Sequence, residues 1–453
     1  MTNSITQAAQ RDSNNPAQLH HHMTVQWQKF IHGASGPARQ SSLQVRASIV
    51  GRTGILLLSC GTGSWRVRDA MNIIATSLGV TCAADIGLTT LTFTCFDGVD
   101  SYTQNLALAS TGVNTDKLTA LEHFVNHFAQ LYADQSAESI HQTLDIIQHR
   151  SGNYSAPQVG LAAGIACAGF IFLLGGGWIE MLGCFFGATL GNYTRRKLID
   201  HHITTVVNTS LAVAVACLTY FLVFHLLGLV VPIAQGHEAG YIGAMLFVIP
   251  GFPFITSMLD ISKSDMRSGL ERLTFALLVT LSATLVGWLV AMLVQLKPAD
   301  FIPLGLTPLT LMGLRLLASF AGVYGFSMMF NSRQKMSITA GIIGAIANTT
   351  RLELVDLAQM PPAAAAFIGA LIAGLLASII NKKTSYPRIA LTVPAIVIMV
   401  PGLYIYRGIF NLGLNNISVG ATWLIRAAII MLFLPFGLFV ARFLLDKKWR
   451  HVD

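Results

Sequence analysis

Ile249-Pro250-Gly251-Phe252 and Val400-Pro401-Gly402-Leu403 are one phrase written twice, with the prolines 151 residues apart. Each copy sits inside a long apolar run, 241–259 for the first and 389–406 for the second. The spacing holds downstream: Asp260 aligns with Asn411, Asp265 with Asn416 and Gly269 with Gly420. Upstream, Asn192-Tyr193-Thr194-Arg195 is echoed by Asn348-Thr349-Thr350-Arg351 with a small change of offset. A Pro-Gly pair removes a backbone donor and loosens the helix around it, which leaves carbonyls without intrahelical partners. Hydrocarbon cannot satisfy such groups, so a break of this kind belongs where it lines protein or water. Paired interruptions in corresponding halves of an apolar chain point to a transporter's central site.

The bulk numbers agree. Of 453 residues, 53% are hydrophobic and only 11% charged, against about 25% charged in ordinary soluble domains. From Pro157 onward the apolar runs approach the ~20 residues that cross a bilayer. Residues 1–157 are nearly neutral, with 9 Lys/Arg against 10 Asp/Glu, so the net charge of +8 belongs to the apolar part. Nucleic-acid binding wants basic residues gathered on a soluble face, and none is expected here. The six cysteines show no CxxC pair, and three (Cys167, Cys184, Cys217) fall in expected membrane helices. Neither a disulfide framework, a metal site nor a cofactor is expected.

Residues 1–45 read as a disordered polar tail containing His20-His21-His22. A small α+β domain follows over 46–157. Ser64 is placed to cap a helix with Val67, Met71, Ile74 and Leu78 on one face. Alternation of Leu91, Phe93 and Cys95 with Thr90, Thr92 and Thr94, then Asp97-Gly98, reads as a β-hairpin. Two amphipathic helices are expected over 115–132 and 136–149. His123, His127 and His141 tempt a catalytic reading, yet no H-E-x-x-H, nucleophile elbow, P-loop or dinucleotide fingerprint is present. The chain is not expected to be an enzyme.

Ten membrane spans are expected, at 158–175, 177–194, 204–227, 240–259, 270–294, 308–330, 336–352, 362–380, 389–407 and 418–444. The N-terminus lacks the basic-then-apolar pattern of a cleaved signal, which keeps the first domain in the cytosol. Inner loops then hold Arg195-Arg196-Lys197, Lys263, Arg267, Arg272, Arg333, Lys335, Lys382, Lys383, Arg388, Lys447, Lys448 and Arg450. Outer loops hold only Lys297, Arg351 and Arg407. That asymmetry satisfies the positive-inside rule with both termini cytoplasmic. Five spans per half is an odd number, so the halves (158–297 and 298–453) insert in opposite senses. The expected fold is an α-helical polytopic membrane protein, an inverted five-plus-five repeat of about ten helices with a cytosolic α+β domain.

The order of phrases carries a family likeness. Gly61-Thr62-Gly63-Ser64-Trp65-Arg66-Val67-Arg68 opens the domain, followed by Leu78-Gly79-Val80 and a Thr-rich hairpin. Leu174-Gly175-Gly176-Gly177-Trp178-Ile179-Glu180, the Pro250-Gly251-Phe252-Pro253 span and Val393-Pro394 ahead of Val400-Pro401-Gly402-Leu403-Tyr404 complete it. Over roughly residues 50–445 the chain resembles the threonine/serine exporter family, in the form that fuses two halves. The resemblance implies a secondary exporter of the cytoplasmic membrane, moving threonine and serine outward on the proton gradient. It also implies a rival substrate, since two-component relatives are associated with succinate-type dicarboxylates.

A zwitterionic amino acid needs donors for its carboxylate, acceptors for its ammonium and a polar contact for its hydroxyl. Broken helices supply amide donors and free carbonyls. The residues expected to bind substrate are therefore Pro250, Gly251, Pro401 and Gly402, with Asn192, Asn348 and Arg351 from the repeated Asn-x-Thr-Arg phrase. Asp260, Asp265 and Glu180 are the candidates for the coupling proton, because ionisable groups deep in a membrane are functional suspects. Glu353 and Asp356 lie beside Arg351. Arg315 and Arg426, inside apolar runs, would favour an anion. Small-residue spacings such as Gly183/Gly187/Gly191 read as helix packing. Beyond substrate, protons and lipid, no partner is expected, and the sequence is silent on oligomeric state. The alternatives are a dicarboxylate exporter on the same fold, a membrane-anchored hydrolase and a passive channel.

Overall fold

The computed structural model describes residues 25–31, 36–230, 237–384 and 386–446; the histidine run at 20–22 lies outside them. The N-terminal unit opens with α1 (Leu43–Ser59) and α2 (Ser64–Ser77). A three-stranded antiparallel meander follows, β1 (Thr81–Ile86), β2 (Thr90–Phe96) and β3 (Ser101–Ala107). Helices α3 (Thr115–Asn126), α4 (Phe128–Leu131) and α5 (Ala137–Gln148) close it. The alternation in β2 works as strand periodicity requires: Leu91, Phe93 and Cys95 are buried, while Thr94 meets Thr103 on the open face. Helix α1 lies over the buried face, and at Gly51 any side chain would run into the Phe93 ring.

Several local expectations need correction. Strand β1 and helix α1 were not anticipated, and the helix expected over 115–132 is interrupted at His127. Ser64 is the first helical residue and not the cap, and its hydroxyl is buried without a partner among the described residues. The unit also reaches upstream of residue 46. Trp27 stacks on the His141 ring and lies 5.6 Å from the Arg52 guanidinium.

The rest of the described chain is helical. Its first part holds α6 (Ala156–Leu173), α7 (Trp178–Asp200), α8 (Thr205–Val230), α9 (Gly240–Met245), α10 (Gly251–Ser262) and α11 (Met266–Leu293). Its second holds α12 (Pro308–Met329), α13 (Gln334–Asp356), α14 (Pro362–Thr384), α15 (Arg388–Val397), α16 (Gly402–Gly413) and α17 (Ile417–Leu445). Among the described residues six helices are long and apolar enough to cross a bilayer, and eight segments qualify if each bent pair counts as one. Helices α7 and α13 are 23 residues long but carry Asn192 and Arg195–Lys197, or Asn348, Arg351 and Glu353, which lowers their hydropathy. Leu222, Leu226, Leu289, Leu317 and Phe436 point outward, the surface expected of a polytopic membrane protein.

Close approach of α6 and α12 depends on two glycines. A Cβ on Gly169 would lie 2.7 Å from the Ala318 carbonyl, and one on Gly325 would run into the Ala162 carbonyl. The α+β unit seats on one end of the bundle through polar contacts. Thr115 meets the Phe330 carbonyl and Ser332, Arg333 pairs with Asp116, and Tyr154 donates to the Ser332 carbonyl. On the first part of the bundle, Arg68 holds Asp265 and Glu271 accepts from the Leu88 amide.

Candidate functional site

Both Pro-Gly phrases break their helices in the same way. Pro250 (φ −80°, ψ 62°) and Pro401 (φ −80°, ψ 53°) each centre an inverse γ-turn. The following glycine amide folds back on the residue before the proline, Gly251 to the Ile249 carbonyl and Gly402 to the Val400 carbonyl, both at 2.8 Å. The α9/α10 pair bends by 56° and the α15/α16 pair by 49°. Because the glycine amides turn back, the carbonyls four residues earlier lose their helical donors. At the second break Met399 O, in the freed turn, receives Arg351 Nη1 at 3.4 Å.

The two breaks pack against each other. A Cβ on Gly402 would lie 2.8 Å from Leu246 Cδ2, with Ile249 Cγ1 at 3.6 Å. One on Gly251 would run into Val397 Cγ2, with Val400 Cγ2 at 3.4 Å. Between them Phe170 and Phe326 complete a cavity of about 10 Å³, roughly room for one water molecule. The breaks are shut. Beside them, Tyr241 of α9 and Tyr406 of α16 join the two parts through a buried hydroxyl pair at 2.7 Å.

The polar residues of the repeated phrase separate. Asn192 Nδ2 donates to the Val159 carbonyl at 3.0 Å, and Arg195 is half-buried on the same helix. On α13, Asn348 Nδ2 donates to Ser319 Oγ at 2.9 Å, while Asn348 Oδ1, Thr349 Oγ1 and Arg351 Nε are buried with no partner among the described residues. No carboxylate among the described residues pairs with Arg351. Arg315 differs: Glu353 holds it at 3.0 Å and Asp356 also pairs with it. Arg426 is exposed and lies over the Trp423 ring. Neither converges on the breaks.

Each proposed coupling carboxylate has a definite partner. Glu180 is buried at the end of the bundle away from the α+β unit, where it accepts from the Gly177 amide and meets His237 Nδ1 at 2.7 Å. Asp260 is fully buried at the other end. Its Oδ1 accepts the Ser64 amide at 3.0 Å, and its Oδ2 meets Arg272 Nε at 3.1 Å and Ser268 Oγ at 3.0 Å. Asp265 takes both Arg68 nitrogens, at 2.6 and 3.1 Å. Sequence reading missed His237 and treated Arg272 as one more loop cation. One signal was available, since His237 stands 151 residues before Arg388 and both open a broken helix.

Among the described residues, the closest approach to a serine–histidine pair in the α+β unit is not an activated one. Ser48 Oγ lies 3.0 Å from His141 Nε2 but donates to the Val45 carbonyl at 2.7 Å. Arg52 has only donors, so its approach to His141 Nδ1 at 3.1 Å makes that nitrogen the acceptor. Nε2 then carries the proton and cannot take one from serine. His123 and His127 are exposed neighbours, and no group of three or more metal-ligating side chains occurs among the described residues.

Comparison with known proteins decides the family. A family model described as "Putative threonine/serine exporter" matches residues 48–295, more than half of the chain. A second, "Threonine/Serine exporter, ThrE", matches residues 315–444. The chain belongs to the threonine/serine exporter family. This exporter is 24% identical over 418 residues to a "Probable threonine/serine exporter" of Mycobacterium tuberculosis, covering 87% of the chain and 75% of that protein. It is 27% identical over 247 residues to a "Probable succinate transporter subunit" of Escherichia coli, covering 53% of the chain and 90% of the relative. No solved structure matches. Family and relatives alike mark the exporter as a membrane transport protein, not an enzyme.

Proposed function

We propose that the chain is a proton-coupled exporter of threonine and serine, built as an inverted five-plus-five repeat around the two Pro-Gly breaks. One observation carries the repeat. Gly251 meets residues 397 and 400, and Gly402 meets residues 246 and 249, which are the same positions shifted by 151. Likewise Gly169 meets Ala318, and Gly325 meets Ala162, with both pairs related by 156. Contacts in which i touches j′ and i′ touches j are those of a two-fold axis. Each half then contributes five spans, α6 to α11 with α9/α10 as one and α12 to α17 with α15/α16 as one. The α+β unit and both termini lie in the cytosol, following the basic loops.

The substrate sits beside the second break. Arg351 takes the carboxylate, the orphaned Asn348 Oδ1 accepts from the ammonium, and Thr349 Oγ1 meets the side-chain hydroxyl. The N-terminal amides of α10 and α16 converge there and favour the same negative end. Asn192 holds the corresponding position in the first half. A succinate-type substrate is favoured by the Escherichia coli relative, but it needs a second free cation, and Arg315 is already neutralised by two carboxylates. Protons enter at the outer Glu180–His237 pair and leave at Asp260, where Arg272 balances the charge. Asp265 holds the α+β unit through Arg68.

Purified protein in liposomes with an imposed pH gradient tests the reading, following labelled threonine and labelled succinate side by side. Threonine is expected to accumulate against its own gradient and opposite to proton flow. Arg351→Gln is expected to abolish that uptake, and Glu180→Gln to leave only downhill exchange. Succinate moving while threonine stays put would overturn the substrate, and transport indifferent to the pH gradient would overturn the coupling.

A further inference from the structure

The shut breaks leave unexplained a second cavity at the end of the bundle that carries the α+β unit. It opens between α14, α15, α17 and the last turn of α10, and Ser378, Arg388, Thr392, Arg442 and Leu259 line it. Two guanidiniums in one cavity are a carboxylate receptor by geometry, since each presents a planar fork of donors. Arg388 is held in place by Asp446 at 3.1 Å and Asn381 Oδ1 at 3.4 Å. The hydroxyls complement them. Ser378 Oγ donates to the Gly374 carbonyl at 2.7 Å and Thr392 Oγ1 to the Arg388 carbonyl at 3.0 Å. With their hydrogens committed to the helix backbone, both oxygens can only accept from a guest. The wall therefore places acceptors beside the two guanidiniums, the pairing that an α-amino acid's ammonium and carboxylate require.

The same cavity has a cover. Trp65, at the start of α2, lies over the Arg442 guanidinium at 4.9 Å. Around it the segment 61–68 of the α+β unit is fastened by polar contacts. Arg272 reaches the Gly61 and Thr62 carbonyls at 3.3 and 2.8 Å, and Asp260, next to Leu259 of the cavity wall, caps the Ser64 amide. The cavity has a volume of about 10 Å³, so a guest enters only when the cover lifts.

Resting on the exporter reading above, we propose that this cavity is the cytosolic recruitment site for the amino acid. Arg388 and Arg442 bind its carboxylate, Ser378 and Thr392 accept from its ammonium, and the α+β unit closes the mouth through Trp65.

The test uses the full-length protein with Leu438→Cys, which places a thiol in the cavity wall, and a small membrane-impermeant maleimide. The unsubstituted protein supplies the background from its native cysteines. Labelling is expected to be slow, to rise at least fivefold with Trp65→Ala, and to be suppressed by threonine but not by threoninol, which lacks the carboxylate. Arg388→Gln and Arg442→Gln are expected to remove the protection and to raise the KM for export about tenfold with little change at saturation. Thr392→Val, which keeps the volume, is expected to raise KM several-fold and keeps the site testable if the arginine variants misassemble. Threonine export with unchanged KM in all three variants would overturn this site and leave the proposed function standing. Arginine-dependent protection by succinate in place of threonine would overturn both.

Discussion

Gly251 and Gly402 have no side chain because the opposite break occupies the space. Gly251→Ala drives a methyl into Val397, and overpacking of this kind costs about 1–3 kcal/mol. The variant is expected to melt lower and transport more slowly, whereas Gly313→Ala, with nothing within 4 Å of its Cβ, is expected to be neutral or up to about 1 kcal/mol more stable. Thermal melting of both in detergent checks the contrast. The glycines themselves were legible, because a Pro-Gly pair repeated at a constant spacing is a local mark. His237 and Arg272 were not, because nothing beside them in the chain says that Glu180 and Asp260 fold against them. Arg351 was legible as an odd cation, but its lack of a carboxylate depends on Glu353 and Asp356 turning to Arg315 instead.

Helix α2 has no cap of its own. Its N-terminus is finished by Asp260 from α10, nearly two hundred residues later, in a bonding set that also satisfies the buried Arg272. Removing one member of a buried ion pair strands the other, at about 3–5 kcal/mol. Asp260→Ala is expected to lower the melting temperature and speed protease release of the α+β unit. The double variant Asp260→Ala with Arg272→Met is expected to recover much of the loss. If the single variant remains as protease-resistant as the parent, the pair does not hold the unit. Within that unit, burial and the neighbouring Arg52 guanidinium push His141 down to about 4, from an ordinary value of 6.5. The unfolded chain therefore binds the proton first. Stability is full above about pH 6.5 and falls as pH drops toward 4, by up to about 3 kcal/mol. Melting curves between pH 7 and 4.5 are expected to show this slope, and His141→Gln to flatten it.

At the whole-molecule scale, the entries to α11 and α17 are alike in backbone and unlike in charge. Asp265 and Asn416 cap α11 and α17 with nearly the same angles, and Ser264 and Asn415 share a left-handed φ just before them. The acidic member of each pair lies where the α+β unit supplies Arg68 or the Ser64 amide, and the neutral member lies at the opposite end. The symmetry is thus broken where a domain docks. The proposed inverted insertion makes a direct prediction. Asp300→Cys, in an exposed position between the halves, is expected to react with an impermeant maleimide on intact cells. Lys382→Cys is expected to react only after permeabilisation. Equal labelling of both in intact cells would contradict the inverted insertion.

Sequence alone determined the polytopic membrane class, the repeated Pro-Gly breaks and the family, because hydropathy, proline chemistry and spacing act locally and survive in one dimension. Only the tertiary structure decided that the breaks pack against each other, that Asp260 and Glu180 are paired, and that Arg315 is neutralised while Arg351 is not. It alone brought Trp65 over Arg442. Each of these depends on which distant side chain arrives at a buried charge, and burial sets the worth of that meeting through a dielectric environment the linear chain does not possess.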